Sequence, residues 1–340
     1  MRISALAGNK GDVYVGVTVK RPQQEVRLRH NDFLRHCIIV GTTGSGKSTT
    51  AGIIAKQLSR FGLAIILDWY GEFPQIFDRI GVEPVYYRAS KNNKIPIPSK
   101  TEAILNILEE VLDLTPPQSY ILRRILKRKS THLSEVIQGV EEYEVSARWM
   151  VETKYALLRK LDALFSNQYI RYLGTVSEPG LAKLLERSKG RPMVIDLSIF
   201  EEHRVRKFMA LLVLRLLEEF KSRCLIKDKL FVIIDESHNI LANSRSLLER
   251  MIAEVRKLNM GITLITQSPA LLSYRIISNS NIKIVHTLKS RDDVDVIARS
   301  VGSGIAIDKV LPRLGVGEVV VDAPSLVSPL IVKVEYINYV

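Results

Sequence analysis

The sequence predicts an α/β fold in which a mostly parallel sheet is flanked by helices and interrupted by a helical insertion. Two observations lead to this prediction. In residues 36–73 and from residue 191 onward, short apolar runs that end in polar or acidic residues alternate with helical patterns. Because strand–helix–strand units of this length form right-handed crossovers, these strands are expected to run parallel. Residues 74–190 show instead one amphipathic helical pattern after another, which indicates an insertion.

The first apolar run, Ile38–Val40, precedes the sequence GTTGSGKST, which matches the phosphate-binding pattern G-x-x-x-x-G-K-[ST]. Such a loop surrounds a polyphosphate with backbone N–H groups at a helix N-terminus, and glycine leaves room for the phosphate. Lys47 is expected to reach the terminal phosphates, and Ser48 to ligate Mg²⁺. The motif predicts the P-loop NTPase form of the α/β fold. Its nucleotide-binding residues are Gly41, Thr42, Thr43, Gly44, Ser45, Gly46, Lys47, Ser48 and Thr49.

An acidic motif follows the apolar strand predicted at residues 230–234. Asp235 and Glu236 end this strand in the Walker B pattern. Asp235 is expected to hold Mg²⁺, and Glu236 to polarise the water that attacks the γ-phosphate. A glutamate at this position predicts a hydrolase that supplies its own base.

Polar residues at two other strand ends are expected beside the nucleotide. Asp68 ends the predicted strand 63–67, and Glu72 follows it at the carboxyl edge of the sheet. Gln267 follows the predicted strand 261–265 and is a candidate sensor of the γ-phosphate. The alternative for Gln267 is a turn-forming amide before a proline.

Phosphoryl transfer gains from an arginine placed on the γ-phosphate, and we predict Arg256 for this role. The helix after the Walker B strand runs back along the sheet, so its C-terminal end lies far from the nucleotide of the same chain. Arg256 would then serve the neighbouring subunit in a head-to-tail ring. The alternative is an arginine that stabilises the helix dipole. Arg291, Arg299 and Arg313 are rival candidates.

The sequence divides the chain into three parts. Residues 1–35 are expected to form a basic strand arm, residues 36–73 and 191–340 the P-loop ATPase core, and residues 74–190 a helical insertion subdomain. A long helix predicted at residues 203–222 is apolar on most sides and is placed in the core.

The chain is basic, with 49 Lys and Arg against 36 Asp and Glu and a net charge of +13. This balance favours a polyanionic partner, and the alternative is a surface that is merely rich in Lys and Arg. One helix face of the insertion is basic and is either solvated or a contact for nucleic acid or another subunit. Its residues are Arg123, Arg124, Lys127 and Arg128.

Two cysteines, Cys37 and Cys224, are too few for a disulfide framework or a Cys-based zinc site. The apolar runs are far shorter than a membrane span, and the N-terminus lacks the apolar core of a signal peptide. The sequence therefore predicts a cytoplasmic protein without stable membrane insertion.

With these motifs in place, the chain resembles the HerA-FtsK family of ring-forming DNA-translocating ATPases, and most closely its HerA branch. The matching segments follow the family's order through the core: FLRHCIIVGTTGSGKS (33–48), ILDWYGEF (66–73), MVIDLS (193–198), VIIDESHN (232–239), EVRKLNMGITLITQSP (254–269) and LPRLGVGEVVV (311–321).

The resemblance implies a RecA/FtsK-like core that uses ATP and Mg²⁺, a homo-oligomer in the form of a hexameric ring, double-stranded DNA as the partner, and a nuclease as a further partner. It assigns the role of the family's trans-acting arginine finger to Arg256, in agreement with the geometric inference. It carries the remaining motif roles to Lys47, Ser48, Asp68, Asp235, Glu236 and Gln267.

The chain departs from the family at three points. HerA proteins have a β-barrel domain before the phosphate loop, whereas about 37 residues precede the strand here. The resemblance therefore predicts a motor core without that domain and does not carry over docking of the nuclease through it. Tyr70 stands where HerA proteins usually have a histidine, and Ser268 where the family often has an arginine. These two changes are expected to alter coupling to DNA movement and to leave hydrolysis intact.

The sequence thus predicts an ATP-hydrolysing ring motor that translocates double-stranded DNA. One alternative keeps the motor and changes the cargo, as in a packaging, conjugation or secretion-type ATPase. Another alternative, from a different class, is a nucleotide-dependent binding switch. The guanine signature Asn-Lys-x-Asp is absent from the sequence, which argues against a GTPase, and Glu236 argues against any slow switch.

Overall fold

Short apolar segments become the strands of one large sheet in the computed structural model, which describes residues 11–127, 133–165, 167–175, 180–241 and 246–335. The strands of this described part are β1 (Val13–Thr18), β2 (Glu25–Leu28), β3 (Cys37–Val40), β4 (Gly62–Asp68), β5 (Val85–Arg88), β6 (Met193–Asp196), β7 (Lys229–Ile234), β8 (Met260–Thr266), β9 (Ile282–Val285), β10 (Glu318–Asp322) and β11 (Leu330–Val334).

The amphipathic segments become helices. They are α1 (Lys47–Leu58), α2 (Phe73–Arg79), α3 (Thr101–Leu112), α4 (Pro116–Leu126), α5 (Leu133–Glu141), α6 (Arg148–Leu164), α7 (Asn167–Ile170), α8 (Gly180–Arg187), α9 (His203–Ser222), α10 (Leu247–Glu254), α11 (Tyr274–Asn279), α12 (Arg291–Ala298) and α13 (Ile307–Val310). Short 3₁₀ helices occupy residues 30–35, 237–239, 255–258, 269–271 and 311–313. Among the helices described, none has the length and apolar character needed to cross a bilayer.

The strands lie in the order β2-β1-β11-β10-β9-β3-β8-β7-β4-β6-β5. Strand β3 pairs in parallel with β8 and β9, and β7 pairs in parallel with β4 and β8. Strands β10, β11, β1 and β2 add an antiparallel extension beyond β9. The prediction of a mostly parallel sheet is confirmed. Because parallel strands point the same way, the carboxyl ends of β3, β4, β7, β8 and β9 meet at one edge.

One face of the sheet is covered by the helices that follow the phosphate loop. Alternate strand residues, such as Ile39 and Ile66, lie in one buried apolar cluster with residues of α1 and α2, including Ile54 and Phe77. Full burial of a side chain of this size contributes about 1.5–3 kcal/mol to stability. The loop between β3 and α1 therefore stands on a densely packed base.

A buried amide joins helix α1 to the first strand. The Gln57 side chain accepts a hydrogen bond from the Tyr14 N–H at 2.7 Å and donates one to the Tyr14 carbonyl at 2.8 Å. Satisfying both backbone groups of one residue fixes β1 against α1 without leaving a buried polar group unpaired. The N-terminal arm of the sequence thus contributes strands to the main sheet.

The chain divides into two compact units, Met1–Tyr86 with Ser188–Ile195 and Asp228–Val340, and Tyr87–Arg187 with Asp196–Lys227. The second unit includes α9, which packs on α3. Lys207 of α9 forms a 3.0 Å ion pair with Glu110, and both side chains are 9% exposed. The units differ from the predicted parts at residues 74–86 and 188–190, which lie in the first unit, and at residues 196–227, which lie in the second. The apolar pattern of α9 shows that the helix is buried but does not show which elements bury it.

Candidate nucleotide-binding site

The phosphate loop lies between β3 and α1 at the carboxyl edge of the sheet. Gly44 and Gly46 adopt positive φ angles of 75° and 103°, a conformation that strains any residue with a side chain. Within the loop, the Ser45 hydroxyl donates to the Thr42 carbonyl at 2.7 Å. Helix α1 begins at Lys47, so its first N–H groups point toward the space that the loop encloses.

The structure brings the predicted loop residues together in this turn. Thr43 and Thr49 are exposed, whereas Thr42 and Ser48 are partly buried and Ser45 is buried. Ser48 is the second residue of α1. A hydroxyl in the first turn of the helix is positioned as a metal ligand next to bound phosphates.

Lys47 lies inside the site with 7% of its surface exposed. Its Nζ donates to the Thr42 carbonyl at 3.0 Å. Burial lowers the pKa of Lys47, and the negative charges of Glu236 and Asp235 act in the opposite direction. The ammonium group therefore stands in a field of carboxylates that favours its charged form.

The Walker B residues follow β7, which is two strands away from β3. The Asp235 N–H donates to the Leu67 carbonyl of β4 at 3.1 Å, which fixes the end of the strand. Glu236 adopts a left-handed conformation with φ of 44°, unusual for a residue with a side chain. The chain therefore turns away from the direction of β7 at Glu236, directly after Asp235.

Burial, together with the nearby carboxylates of Asp68 and Glu236, raises the pKa of Asp235 to about 8. Burial also raises the pKa of Glu236, an effect that the Lys47 ammonium opposes. A carboxyl whose pKa is shifted toward neutrality in a cleft is typical of catalytic and metal-binding positions. The two residues thus form an acidic pair, and the charge of Lys47 lowers the pKa of Glu236.

Asp68 is fully buried, and its carboxylate organises the turn after β4. Oδ1 accepts hydrogen bonds from the N–H groups of Gly71 and Glu72 at 2.9 and 3.2 Å, and Oδ2 accepts one from Phe73 at 3.0 Å. The sequence predicted a nucleotide contact for Asp68. These bonds give it a structural task in shaping the turn beside Asp235, while its predicted contact with the nucleotide remains a prediction.

Gln267 meets the phosphate loop directly. It follows β8, the strand between β3 and β7. Its Oε1 accepts a hydrogen bond from the Thr43 hydroxyl at 2.7 Å. An amide that touches the loop from the strand next to Walker B is well placed to respond to the terminal phosphate.

The site suits a magnesium ion by its donor chemistry. Asp235 is 4% exposed and has three further carboxylates near enough to raise its pKa, so a cation would stabilise its charged form. Among the described residues, no cluster of three or more His, Cys, Asp and Glu side chains forms a complete metal site. In nucleotide sites Mg²⁺ usually binds through one or two protein ligands together with phosphates and water. Asp235 and Ser48 are the residues that would hold it.

Arg256 lies at the opposite edge of the sheet. It belongs to the 3₁₀ helix at residues 255–258. Directly after this helix, the carbonyl of Asn259 accepts a hydrogen bond from the N–H of Leu230 at the start of β7. Arg256 is exposed. Burial lowers the pKa of His36, which precedes the amino end of β3, and the Arg256 charge lowers it as well. The structure thus separates Arg256 from the phosphate loop of the same chain.

A residue that the sequence reasoning missed, His286, lies under the phosphate loop. It directly follows β9, its side chain is 0% exposed, and it is hydrogen-bonded to Ser45 and Thr50. The available signal was a polar residue at the end of a strand. That signal identifies an edge of the sheet but not the position of β9 beside β3, so it gave no reason to single out His286.

The phosphate loop, the acidic pair after β7 and the parallel sheet define a P-loop ATPase. A family model described as "Helicase HerA, central domain" matches residues 13–217. The chain belongs to this family.

Named relatives agree with this assignment. The DNA double-strand break repair helicase HerA of Sulfurisphaera tokodaii is 26% identical over an alignment of 346 positions, which includes 92% of this chain and 67% of that protein. Among solved structures, VirB4 of Thermoanaerobacter pseudethanolicus has a TM-score of 0.73 at 15% identity and covers 97% of this chain and 98% of its own. The plasmid coupling protein TrwB in complex with ADP and Mg²⁺ has a TM-score of 0.65 at 14% identity, over 93% and 89% of the two chains. These two structures share the fold.

Proposed function

We propose that this chain is the ATPase core of a ring motor that translocates double-stranded DNA. The observation that carries the proposal is the grouping of Lys47, Asp235, Glu236 and Gln267 around the phosphate loop in a member of the HerA central-domain family. The net charge of +13 gives the chain an electrostatic attraction to a polyanion.

The residues around the phosphate loop have separate roles in ATP hydrolysis. The loop N–H groups and Lys47 bind and orient the phosphates of ATP, and Glu236 accepts a proton from the attacking water. Mg²⁺, held by Ser48 and Asp235, would neutralise charge that develops on the phosphates. Gln267 reports the state of the γ-phosphate through its bond to Thr43. Asp68 keeps the acidic turn in place and lies next to the metal position.

The assembly that we propose is a homo-hexamer in which Arg256 of one subunit completes the site of the next. The separation between Arg256 and its own phosphate loop supports this, because an arginine on the γ-phosphate would have to come from another subunit. Light scattering should give a mass close to six times the 38.4 kDa of the chain. A nuclease, which the family resemblance implies, is the further partner that we propose, and copurification from the native cells would test it.

The decisive experiment compares ATP hydrolysis with and without linear duplex DNA, at low and at moderate salt. We expect DNA to accelerate hydrolysis and the DNA affinity to fall steeply with salt, as counterion release requires. Lys47→Ala is the matched inactive control. A hydrolysis rate indifferent to DNA, together with no salt-sensitive DNA binding, would refute DNA as the cargo and favour a motor that moves protein. A stable monomer with negligible turnover would point to a nucleotide-dependent switch.

A further inference from the structure

The imidazole of His286 is fixed between two elements of the nucleotide site. Its Nδ1 lies 2.9 Å from the carbonyl oxygen of Ser45, and its Nε2 lies 3.1 Å from the hydroxyl oxygen of Thr50. A carbonyl oxygen only accepts hydrogen bonds, so Nδ1 carries the proton and donates. Nε2 then accepts from the Thr50 hydroxyl. Both ring nitrogens are therefore used, one by the phosphate loop and one by helix α1.

Backbone hydrogen bonds attach the same segment to the start of the loop. The His286 N–H donates to the Val40 carbonyl at 2.8 Å, and the Thr42 N–H donates to the Thr287 carbonyl at 2.9 Å. These bonds continue the pairing of β3 and β9 past the ends of both strands. The position of the imidazole relative to the loop is thus set by the sheet.

The loop lies directly on the ring. A Cβ atom added to Gly41 would come within 2.5 Å of the His286 Cβ, and one added to Gly46 would lie 3.5 Å from its Cε1. Real Cβ atoms do not approach as closely as the first of these distances, so the close approach of residue 286 to the loop requires glycine at position 41. The contact at Gly46 is to the imidazole ring itself. The imidazole fills the space under the loop, and a smaller side chain would leave a cavity there.

The Ser45 carbonyl has a second donor, the Gly317 N–H, at 3.1 Å. Gly317 lies in the turn before β10, where the carbonyl of the preceding Val316 accepts a hydrogen bond from Lys333 at 2.6 Å. The loop is therefore braced from two sides through one oxygen atom. These two hydrogen bonds hold the Ser45 carbonyl away from the space for the phosphates. The N–H groups that follow in the loop then point into that space.

Burial lowers the pKa of His286 to about 4, and the Lys47 charge lowers it as well. The ring is neutral at physiological pH. A neutral ring that uses one donor and one acceptor matches its two partners.

We propose that His286 is a positioning residue of the nucleotide site, which holds the phosphate loop in its phosphate-binding shape through the Ser45 carbonyl. The proposal rests on the proposed function in that the ligand is ATP. His286 does not touch the nucleotide itself. Since the loop contacts the phosphates in the ground state and in the transition state alike, loss of the brace should weaken binding more than it slows the chemical step.

Three variants of His286 separate its two hydrogen bonds. His286→Leu removes both, His286→Asn can place an amide N–H near Nδ1 and keep the bond to Ser45, and His286→Gln reaches the Nε2 position and keeps only the bond to Thr50. For His286→Leu we expect the Kd for ATP and for ADP to rise about tenfold, the effect of one to two hydrogen bonds. We expect the Kd values of His286→Gln to resemble those of His286→Leu, and the Kd values of His286→Asn to lie within about threefold of those of the wild type. The kcat at saturating ATP should fall less than kcat/KM.

His36→Leu is the matched control, since His36 is also a buried histidine but lies at the other end of β3. It should leave the Kd for ATP unchanged. Amide hydrogen exchange of residues 41–48 in the nucleotide-free protein should be faster in His286→Leu than in the wild type. This readout needs no nucleotide and no hydrolysis.

Wild-type ATP affinity in folded His286→Leu, or an equal loss in His286→Asn, would overturn the proposal. If His286→Leu does not fold, the comparison of His286→Gln with His286→Asn tests the proposal. Equal Kd values for these two variants would refute the role of the bond to Ser45. A wild-type protein that binds ATP but does not hydrolyse it would refute the motor while leaving the Kd comparison as the test of His286.

Discussion

At its carboxyl end, strand β3 leads into a site crowded with buried charge, whereas the region near its amino end carries exposed charge. Lys47 and Asp235 are 7% and 4% exposed, and burial shifts the pKa of both. Near the amino end, Arg256 and Lys257 are exposed on a short 3₁₀ helix. The buried groups are fixed by bonds within the chain, as the bond from Lys47 to the Thr42 carbonyl shows.

This difference separates two kinds of functional residue. Residues that bind phosphate must be preorganised, and burying their charges costs stability that the folded protein has to offset elsewhere. A residue that acts on a neighbouring subunit must remain on the surface of its own.

The largest effect is expected for Arg256→Ala. An arginine on the γ-phosphate is worth about 10³- to 10⁵-fold in kcat, so turnover should be nearly abolished while ATP binding is preserved. ATPase assays and equilibrium binding of ATP measure the two quantities. Lys257→Ala, an exposed cation on the same 3₁₀ helix, is the control and should retain turnover. Loss of activity in both variants, or in neither, would contradict the role of Arg256.

Glu236→Gln should lower kcat by about 10²- to 10⁴-fold, because the amide cannot accept the proton of the attacking water. ATP affinity should be retained, since the loop and Lys47 are untouched. Single-turnover hydrolysis measured beside ATP binding gives both values. A variant with wild-type turnover would remove Glu236 from the role of base.

Asp235→Asn should stabilise the nucleotide-free protein above neutral pH while it abolishes Mg²⁺-dependent turnover. The pKa of Asp235 is raised to about 8, so the native state holds a proton that the unfolded state releases, and this site destabilises the fold increasingly as the pH rises from about 4 to 8. Thermal unfolding at pH 8.5 should show a Tm higher by a few °C. The gain should be smaller at pH 6.

Asp78→Asn, at an exposed carboxylate of α2, is the control for this measurement and should leave Tm nearly unchanged at both pH values. A lower Tm of Asp235→Asn at both pH values would mean that the Asp235 charge stabilises the fold.

The smallest effect at neutral pH is expected from the two buried histidines, whose contribution changes only under acidic conditions. Burial lowers the pKa of both His36 and His286 to about 4, below the 6.5 of an unperturbed histidine. The unfolded state therefore binds more protons between these values, and the stability is present above pH 6.5 and is lost as the pH falls toward 4. Each histidine contributes up to about 1.4 kcal/mol per pH unit. Urea unfolding at pH 6.5 and 5 should show this slope.

The double variant His36→Asn/His286→Asn should reduce that slope, whereas substitution of His203, which is exposed, should not. An unchanged slope in the double variant would contradict the assignment of these two histidines as buried and neutral.

The sequence predicted the local elements of the site well, since a phosphate loop and an acidic strand end are encoded by adjacent residues. Lys47, Asp235 and Gln267 occur where the motifs require them, and β4, β7 and β8 coincide with their apolar runs to within a residue or two. The roles that the motifs assign to these residues stay predictions until the variants are measured.

Features that depend on strand order were beyond the sequence. Strand β9 lies beside β3, far from it along the chain, and only this neighbour relation puts His286 under the loop. In the same way, Asp68 was expected at the nucleotide from its position at a strand end. Its three bonds to backbone N–H groups depend on the geometry of the turn, which the residue pattern does not encode. Arg128, expected on the basic helix face, lies outside the described residues.

One measurement tests most directly the claim that each ATP is hydrolysed between two subunits. Arg256→Ala and Glu236→Gln are purified separately, mixed under conditions in which subunit exchange is shown by a labelled chain, and assayed for ATP hydrolysis. Interfaces that combine the intact Glu236 of one subunit with the intact Arg256 of another should restore part of the activity that neither variant has alone. Absence of any recovery in rings that have exchanged subunits would contradict the account.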